Sequence, residues 1–293
     1  MALKGPAEIT IEANPETMDF PTLKKYFEAG INRLSVGVQS FSDAELKTLG
    51  RTHSALQAEE AVGNAVLAGF SNISIDLMYE VPNQTLASWN SSLQKAKELP
   101  ITHISLYNLT IEEGTAFYRK RTEIMQSLPT QEEGLSMYES AQNTLSSAGF
   151  TQYEISAFSR NNLYSIHNTG YWTGREFFGL GPSAFSFFDG VRYSNIANLQ
   201  RYINQVKSGT SPVDFREEID AGSRRRELLA VHLRLFWGVN IDDFEKRWGA
   251  LDLETKSELT SLQTEGLIEF KQEKLFLTDF GRKFYDTIAS RLI

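Results

Sequence analysis

The sequence predicts an α/β protein, a parallel sheet with crossover helices followed by a smaller α+β module. Three observations carry this. Through the first half, short β-rich runs alternate with helix-periodic runs, the order that joins parallel strands by crossover helices. Residues 209–222 then lose that periodicity and hold Gly, Ser, Pro and acidic residues. Beyond them the pattern changes to helices and two short β runs. At 293 residues the chain has room for one barrel-sized domain and an appendage.

Taken in order, residues 8–12 (EITIE) read as a strand, followed by a helix over 19–29 that stops at Gly30, a left-handed cap. The next strand is 33–38. Helices follow from Ser42, an N-cap, and over 56–68 with Gly69 closing the second. Residues 72–78 make a strand, 88–98 a helix and 103–107 a fourth strand. Thr130 with Glu133 three residues on forms a capping box for a long helix to Ser147, and 151–155 is a fifth strand. Five strands are fewer than the eight of a closed barrel, so the sheet is expected to be incomplete, with an edge at residue 8 that needs cover. The expected division is residues 1–210 as the sheet domain with its extension, 211–222 as linker and 223–293 as a second domain. That last part reads as helices over 223–236, 241–248 and 254–265, β runs over 267–270 and 274–277, and a final helix from Asp279, an order resembling a winged helix.

Composition excludes several functions. Net charge is −8, and from Arg216 onward 13 basic residues face 15 acidic ones, unlike a surface that tracks phosphates. Nucleic acid is not an expected partner. No apolar run approaches the length of a transmembrane helix, and Met1-Ala2-Leu3-Lys4-Gly5-Pro6 lacks the apolar core of a signal peptide, so a cytoplasmic chain is expected. The cysteine count is zero, which removes disulfides, thiolate zinc sites, cysteine nucleophiles and cysteine-held iron–sulfur clusters from these residues. His53, His103 and His232 show no metal-ligand spacing.

In parallel α/β barrels the site lies at the carboxyl ends of the strands. Following each strand to its end yields Glu12, Gln39 and Asp76, with Tyr107-Asn108 ending the fourth. Arg51 in Leu49-Gly50-Arg51-Thr52-His53 is suited to pairing with a carboxylate. Read alone, these residues fit either a ring that holds a polar ligand, or helix caps and solvated carboxylates. Glu12 and Asp76 also suit an acid–base pair in a cluster-independent barrel enzyme.

Four runs resemble successive motifs of the HemN/HemW radical S-adenosylmethionine (SAM) family, in its order and spacing: Glu8-Ile9-Thr10-Ile11-Glu12-Ala13-Asn14-Pro15-Glu16, Arg33-Leu34-Ser35-Val36-Gly37-Val38-Gln39-Ser40-Phe41, Leu49-Gly50-Arg51-Thr52-His53, and Asp76-Leu77-Met78-Tyr79-Glu80-Val81-Pro82-Asn83-Gln84-Thr85. The resemblance implies a partial (β/α)6 barrel, with Glu12, Gln39, Arg51 and Asp76 matching residues that contact SAM. It also implies two earlier strands with a Cys-x-x-x-Cys-x-x-Cys loop for a [4Fe–4S] cluster and a Gly-Gly-Gly-Thr-Pro turn, neither of which is in this sequence. Met1 is accordingly read as an internal methionine at a fragment or misassigned start, with a genuine cluster-free member of the family as the other reading. Glu80 stands where the family usually has Gly, which constrains the loop or adds a negative charge.

His167-Asn168-Thr169-Gly170-Tyr171-Trp172 resembles the His-Asn-x-x-Tyr-Trp pattern of the heme chaperone branch. That likeness makes His167 a candidate axial heme ligand, with Tyr171 and Trp172 as apolar contacts; a structural histidine among core aromatics is the other reading. The resemblance implies heme and SAM as ligands and heme-receiving respiratory proteins as partners. The alternative within the family is an oxygen-independent coproporphyrinogen III dehydrogenase of porphyrin biosynthesis.

Overall fold

The protein is described by a computed structural model covering residues 7–293. The opening Met1-Ala2-Leu3-Lys4-Gly5-Pro6, and the expectation that Met1 is internal, lie outside the described residues. The chain forms two compact units, one ending at Tyr164 and one spanning Ser165–Ile293. No helix among the described residues is long and apolar enough to cross a membrane.

In the first unit β1 (Thr10–Ala13), β2 (Arg33–Gln39), β3 (Ile73–Tyr79) and β4 (His103–Asn108) lie side by side and parallel. They are joined by α1 (Phe20–Glu28), by α2 (Asp43–Thr48) with α3 (Ala55–Ala68), and by α4 (Leu86–Glu98). Two short helices, α5 (Ala116–Arg119) and α6 (Arg121–Met125), precede the long α7 (Gln131–Ser147). The Thr130–Glu133 capping box is present at the start of α7. Gly69 closes α3 at φ +114°, a conformation that a side chain would strain. Ser42 sits at the N-cap of α2 but its side chain makes no capping bond. Thr85, paired with Ser88, caps α4 and starts it at Leu86, two residues before the expected position.

The fifth strand is not a further parallel one. β5 (Thr151–Glu154) turns back into β6 (Ala157–Ser159), which pairs antiparallel with both β5 and β4. The connection of Ile155 and Ser156 is long enough only for a hairpin, because a parallel return needs about a dozen residues. The sheet is therefore mixed, in the order β1-β2-β3-β4-β6-β5.

Alternation along the strands separates two faces. Leu34, Val36, Ile73, Ile75, Leu77, Ile104 and Leu106 are buried in one core with Val62, Ala65, Trp89, Leu93, Met137 and Leu145 from the helices. Trp89 anchors it, its indole Nε1 donating to the Met137 carbonyl at 2.8 Å. The other face is polar. Register places Glu12 beside Ser35, Ser35 beside Ser74, Ser74 beside His103, and Asp76 beside Ser105. Parallel strands buried on both faces are apolar throughout. These are not, so the second face serves something other than core.

The second unit opens with α8 (Ile166–Trp172) and an antiparallel sheet of β7 (Phe185–Phe188), β8 (Val191–Asn195) and β9 (Val213–Glu218), with α9 (Leu199–Lys207) between β8 and β9. Residues 211–222, expected as linker, thus hold a strand and the start of a helix: β9 pairs with β8 from Val213 to Glu218, and the next helix begins at Ala221. Next come α10 (Ala221–His232), β10 (Val239–Asn240), α11 (Ile241–Trp248), α12 (Leu253–Thr264), β11 (Ile268–Lys271), β12 (Lys274–Leu277), α13 (Asp279–Arg282) and α14 (Tyr285–Leu292). The expected final helix is two helices, and the two expected β runs gain a third strand in the order β10-β12-β11.

Candidate functional site

Three polar residues on the first strands converge with one from a helix–helix loop. Glu12, Gln39, Arg51 and Asp76 line one open cleft of about 360 Å³, together with Ala13, Asn14, Ser35 and Gly37. Arg51 reaches it from the loop after α2, its Nη1 donating to Asn14 Oδ1 at 3.1 Å. Burial pushes the Asp76 carboxyl up to about 6; the Ser105 hydrogen bond opposes this, the Glu12 charge adds to it, and Arg33 and Arg51 oppose it. Near neutral pH the cleft therefore presents carboxylate acceptors with one guanidinium beside them, a set able to hold hydroxyls, an ammonium and a carboxylate of a single ligand.

The backbone is shaped for close approach. Ser40 N–H donates to the Val38 carbonyl at 2.8 Å, closing a γ-turn centred on Gln39, whose φ is +67°. Such a turn strains a residue with a side chain and persists only where its surroundings hold it. Here the holder is Glu45. Its buried carboxylate accepts from Ser40 Oγ at 2.6 Å, Gln84 Nε2 at 3.0 Å and Ser88 Oγ at 2.7 Å. On the other side His53 is buried, Nε2 lying 3.1 Å from the Val38 carbonyl and Nδ1 3.3 Å from Glu16 Oε2, which ties the Arg51 loop to β2. Gly37 completes the floor: a Cβ there would stand 3.0 Å from Gln39 Nε2 and 3.3 Å from Asn14 Oδ1.

Several of these residues escaped the sequence reading. Asn14 lies within a quoted motif, and Ser35 and Ser105 share the polar face by period two, so alternation along the strands was a usable signal. Glu45 gave none, since its burial depends on Gln84 and Ser88, far along the chain. Glu80 adopts φ +60°, the left-handed region that favours glycine. Its side chain packs into the notch left by Gly134, and burial pushes the carboxyl up while a hydrogen bond from Asn108 opposes this.

His167 belongs to the second unit. It is exposed on α8, where Ser165 caps the helix by accepting from Asn168 N. Its Nε2 lies 2.7 Å from the Tyr171 hydroxyl, and Tyr171 stands edge-on to Phe177 with ring centroids 4.7 Å apart. Iron taken through Nε2 requires that hydroxyl to give way. His103, by contrast, is buried between Ser74 Oγ and Tyr153 Oη, and burial, with Arg33, lowers it to about 3, so it is neutral. Among the described residues no three His, Asp or Glu side chains gather as a metal site. With no thiolate in its 293 residues, this sequence does not fit a cysteine-held cluster.

A mixed sheet with a polar cleft at the carboxyl ends of its parallel strands defines an α/β protein whose candidate ligand site lies at the strand ends. Residues 2–96 match the Radical SAM superfamily and residues 219–284 the HemN C-terminal domain. The chain is 31% identical to heme chaperone HemW of Lactococcus lactis over 98% of its length and 75% of that protein's, and 34% identical to heme chaperone HemW of Bacillus subtilis over 94% and 73%. The fold matches coproporphyrinogen III oxidase HemN of Escherichia coli with a TM-score of 0.83 at 22% identity, covering 98% of this chain and 69% of that one. The chain belongs to the HemW/HemN-like radical SAM family.

Proposed function

We propose that this protein is a heme-binding chaperone of the HemW type, which takes heme as cargo at His167, binds SAM in the first-unit cleft, and hands heme to respiratory proteins in the cytoplasm. The observation that carries it is His167, exposed on α8 within His167-Asn168-Thr169-Gly170-Tyr171-Trp172 and beside the Tyr171 hydroxyl. An imidazole is a usual donor to haem iron. The names of the Lactococcus and Bacillus relatives support the reading. In the cleft, Arg51 pairs with the methionyl carboxylate of SAM while Glu12 and Asp76 accept from its ammonium and ribose hydroxyls, and Gln39 contributes its amide. Over these residues the sheet forms part of a (β/α)6 barrel, and the C-terminal part is a winged-helix-like module that packs or docks a partner. A cluster would supply the electron that cleaves SAM, and these residues, which include no cysteine to hold one, bind and orient the ligand.

Heme titration tests the proposal. The wild type is expected to show a shifted, saturable Soret band, and His167→Ala to lose it while retaining SAM analogue binding. An unshifted band in the wild type, or equal heme binding by the variant, overturns the assignment.

A further inference from the structure

Within the second unit a cavity of about 200 Å³ is lined from α8, β8 and α10. Its walls are aromatic, from Tyr171, Trp172, Phe177 and Phe187, and cationic, from Arg175, Arg192 and Arg224. Glu227 is its one acidic lining residue, and that carboxylate is held by Arg192 Nη2 at 2.6 Å. Arg192 Nη1 in turn donates to Glu217 at 3.2 Å. Arg175 lies over α8, its Nη2 donating to the Ile166 carbonyl at 2.8 Å.

Arg224 is different. Its guanidinium stands 4.9 Å from the ring centroids of both Phe187 and Trp248, and its Nε is buried with no hydrogen-bond acceptor. Trp172 Nε1, from the same lining, is a second buried donor without an acceptor. Buried donors are normally satisfied, and two orphans on one cavity mark a place where an acceptor belongs. The chain carries a net charge of −8, so this cationic lining is a local construction rather than a reflection of composition. Donors without acceptors select an anion, and the aromatic walls select one borne on an apolar body. The volume lies below the roughly 300 Å³ at which pockets for drug-sized ligands begin, which admits an arm or a single ring and excludes a tetrapyrrole.

We propose that this cavity binds a carboxylate carried on an apolar arm, with Arg224 pairing with the carboxylate and Trp172 Nε1 donating a second hydrogen bond. Tyr171 lines the cavity and contacts His167 Nε2, so α8 carries the imidazole beside one wall of the cavity while α10 supplies Arg224 from the other. In the heme reading, on which this further step rests, the arm is one propionate of the porphyrin.

Two titrations separate the proposal from the heme reading. In the first, 3-phenylpropionate is added at millimolar concentration and tryptophan emission followed, with Trp172→Phe identifying the reporter. Saturable binding is expected in the wild type, at least tenfold weaker binding in Arg224→Gln, partial retention in Arg224→Lys, and none for neutral 3-phenylpropionamide. Circular dichroism verifies that the variants fold. No binding of the acid, or equal binding by a folded Arg224→Gln, overturns the carboxylate site. The second compares iron protoporphyrin IX with its dimethyl ester. The wild type is expected to bind the acid at least tenfold more tightly, and Arg224→Gln to bind both alike. Acid and ester binding alike in the wild type overturns the propionate assignment alone. Binding of 3-phenylpropionate with no binding of either porphyrin overturns the heme reading and upholds the carboxylate site.

Discussion

Glu45 accepts a 2.6 Å hydrogen bond from Ser40, and through it α2 holds the end of β2 in the turn that presents Gln39 to the cleft. The same carboxylate takes Gln84 and Ser88, so three elements meet on one buried anion.

Removing it takes the shared acceptor from three donors, of which Ser40 and Gln84 are buried and Ser88 is half-buried. Glu45→Ala is expected to cost about 2–3 kcal/mol, lowering the unfolding midpoint by about 5 °C or more. Thermal denaturation checks this, and an unchanged midpoint refutes the role. Binding of S-adenosylhomocysteine should weaken with it, because Gln39 loses its support.

Asp76 predicts a pH dependence. Its carboxyl is raised from 3.8 to about 6 in the folded protein, burial being the leading cause. The folded state therefore holds a proton that the unfolded state releases, and this contribution to stability is complete below 3.8 and lost as pH rises through about 6. It amounts to at most about 3 kcal/mol. Asp76→Asn should flatten the stability profile between pH 4 and 6 and raise stability at pH 7, while weakening S-adenosylhomocysteine binding. In the wild type that binding should strengthen as pH rises through about 6. Urea unfolding and calorimetry across pH measure both trends, and opposite slopes would refute the assignment.

Arg51 is assigned to a carboxylate, so its loss should be selective. Arg51→Ala is expected to weaken S-adenosylhomocysteine about 10- to 100-fold, in line with a charged hydrogen bond, and to leave 5′-methylthioadenosine, which lacks that carboxylate, within about twofold. Equal losses for both ligands would contradict the pairing.

Gly37→Ala tests the cleft floor. The added methyl would stand 3.0 Å from Gln39 Nε2, close enough to displace the amide without rebuilding the strand. Affinity for S-adenosylhomocysteine should fall about tenfold, about 1.4 kcal/mol, with the unfolding midpoint nearly unmoved. A loss of stability that matches the loss of affinity would point to strand damage instead.

The outline of the first sheet, the Thr130–Glu133 cap and the converging residues Glu12, Gln39, Arg51 and Asp76 were readable from the sequence because each follows from local chemistry. Strand ends, caps and period-two alternation are properties of neighbours. β6 was not readable, since three residues, Ala157–Ser159, carry too little pattern. β9 was hidden by its surroundings: Val213-Asp214-Phe215-Arg216 alternates for only four residues before Glu217-Glu218, inside a stretch of Gly, Ser, Pro and acidic residues that reads as a connection. Glu45 was hidden for a third reason, because an acidic residue on a short helix reads as solvated until distant partners close over it.

Glu80 and Gly134 constrain one another through space. A glutamate holds a backbone shape suited to glycine, and its side chain has a berth only because Gly134 has none. Alanine at 134 would evict that side chain from its notch. The two positions are therefore coupled across the fold: a methyl at 134 would turn the glutamate out toward solvent and away from Asn108, with α7 itself left in place.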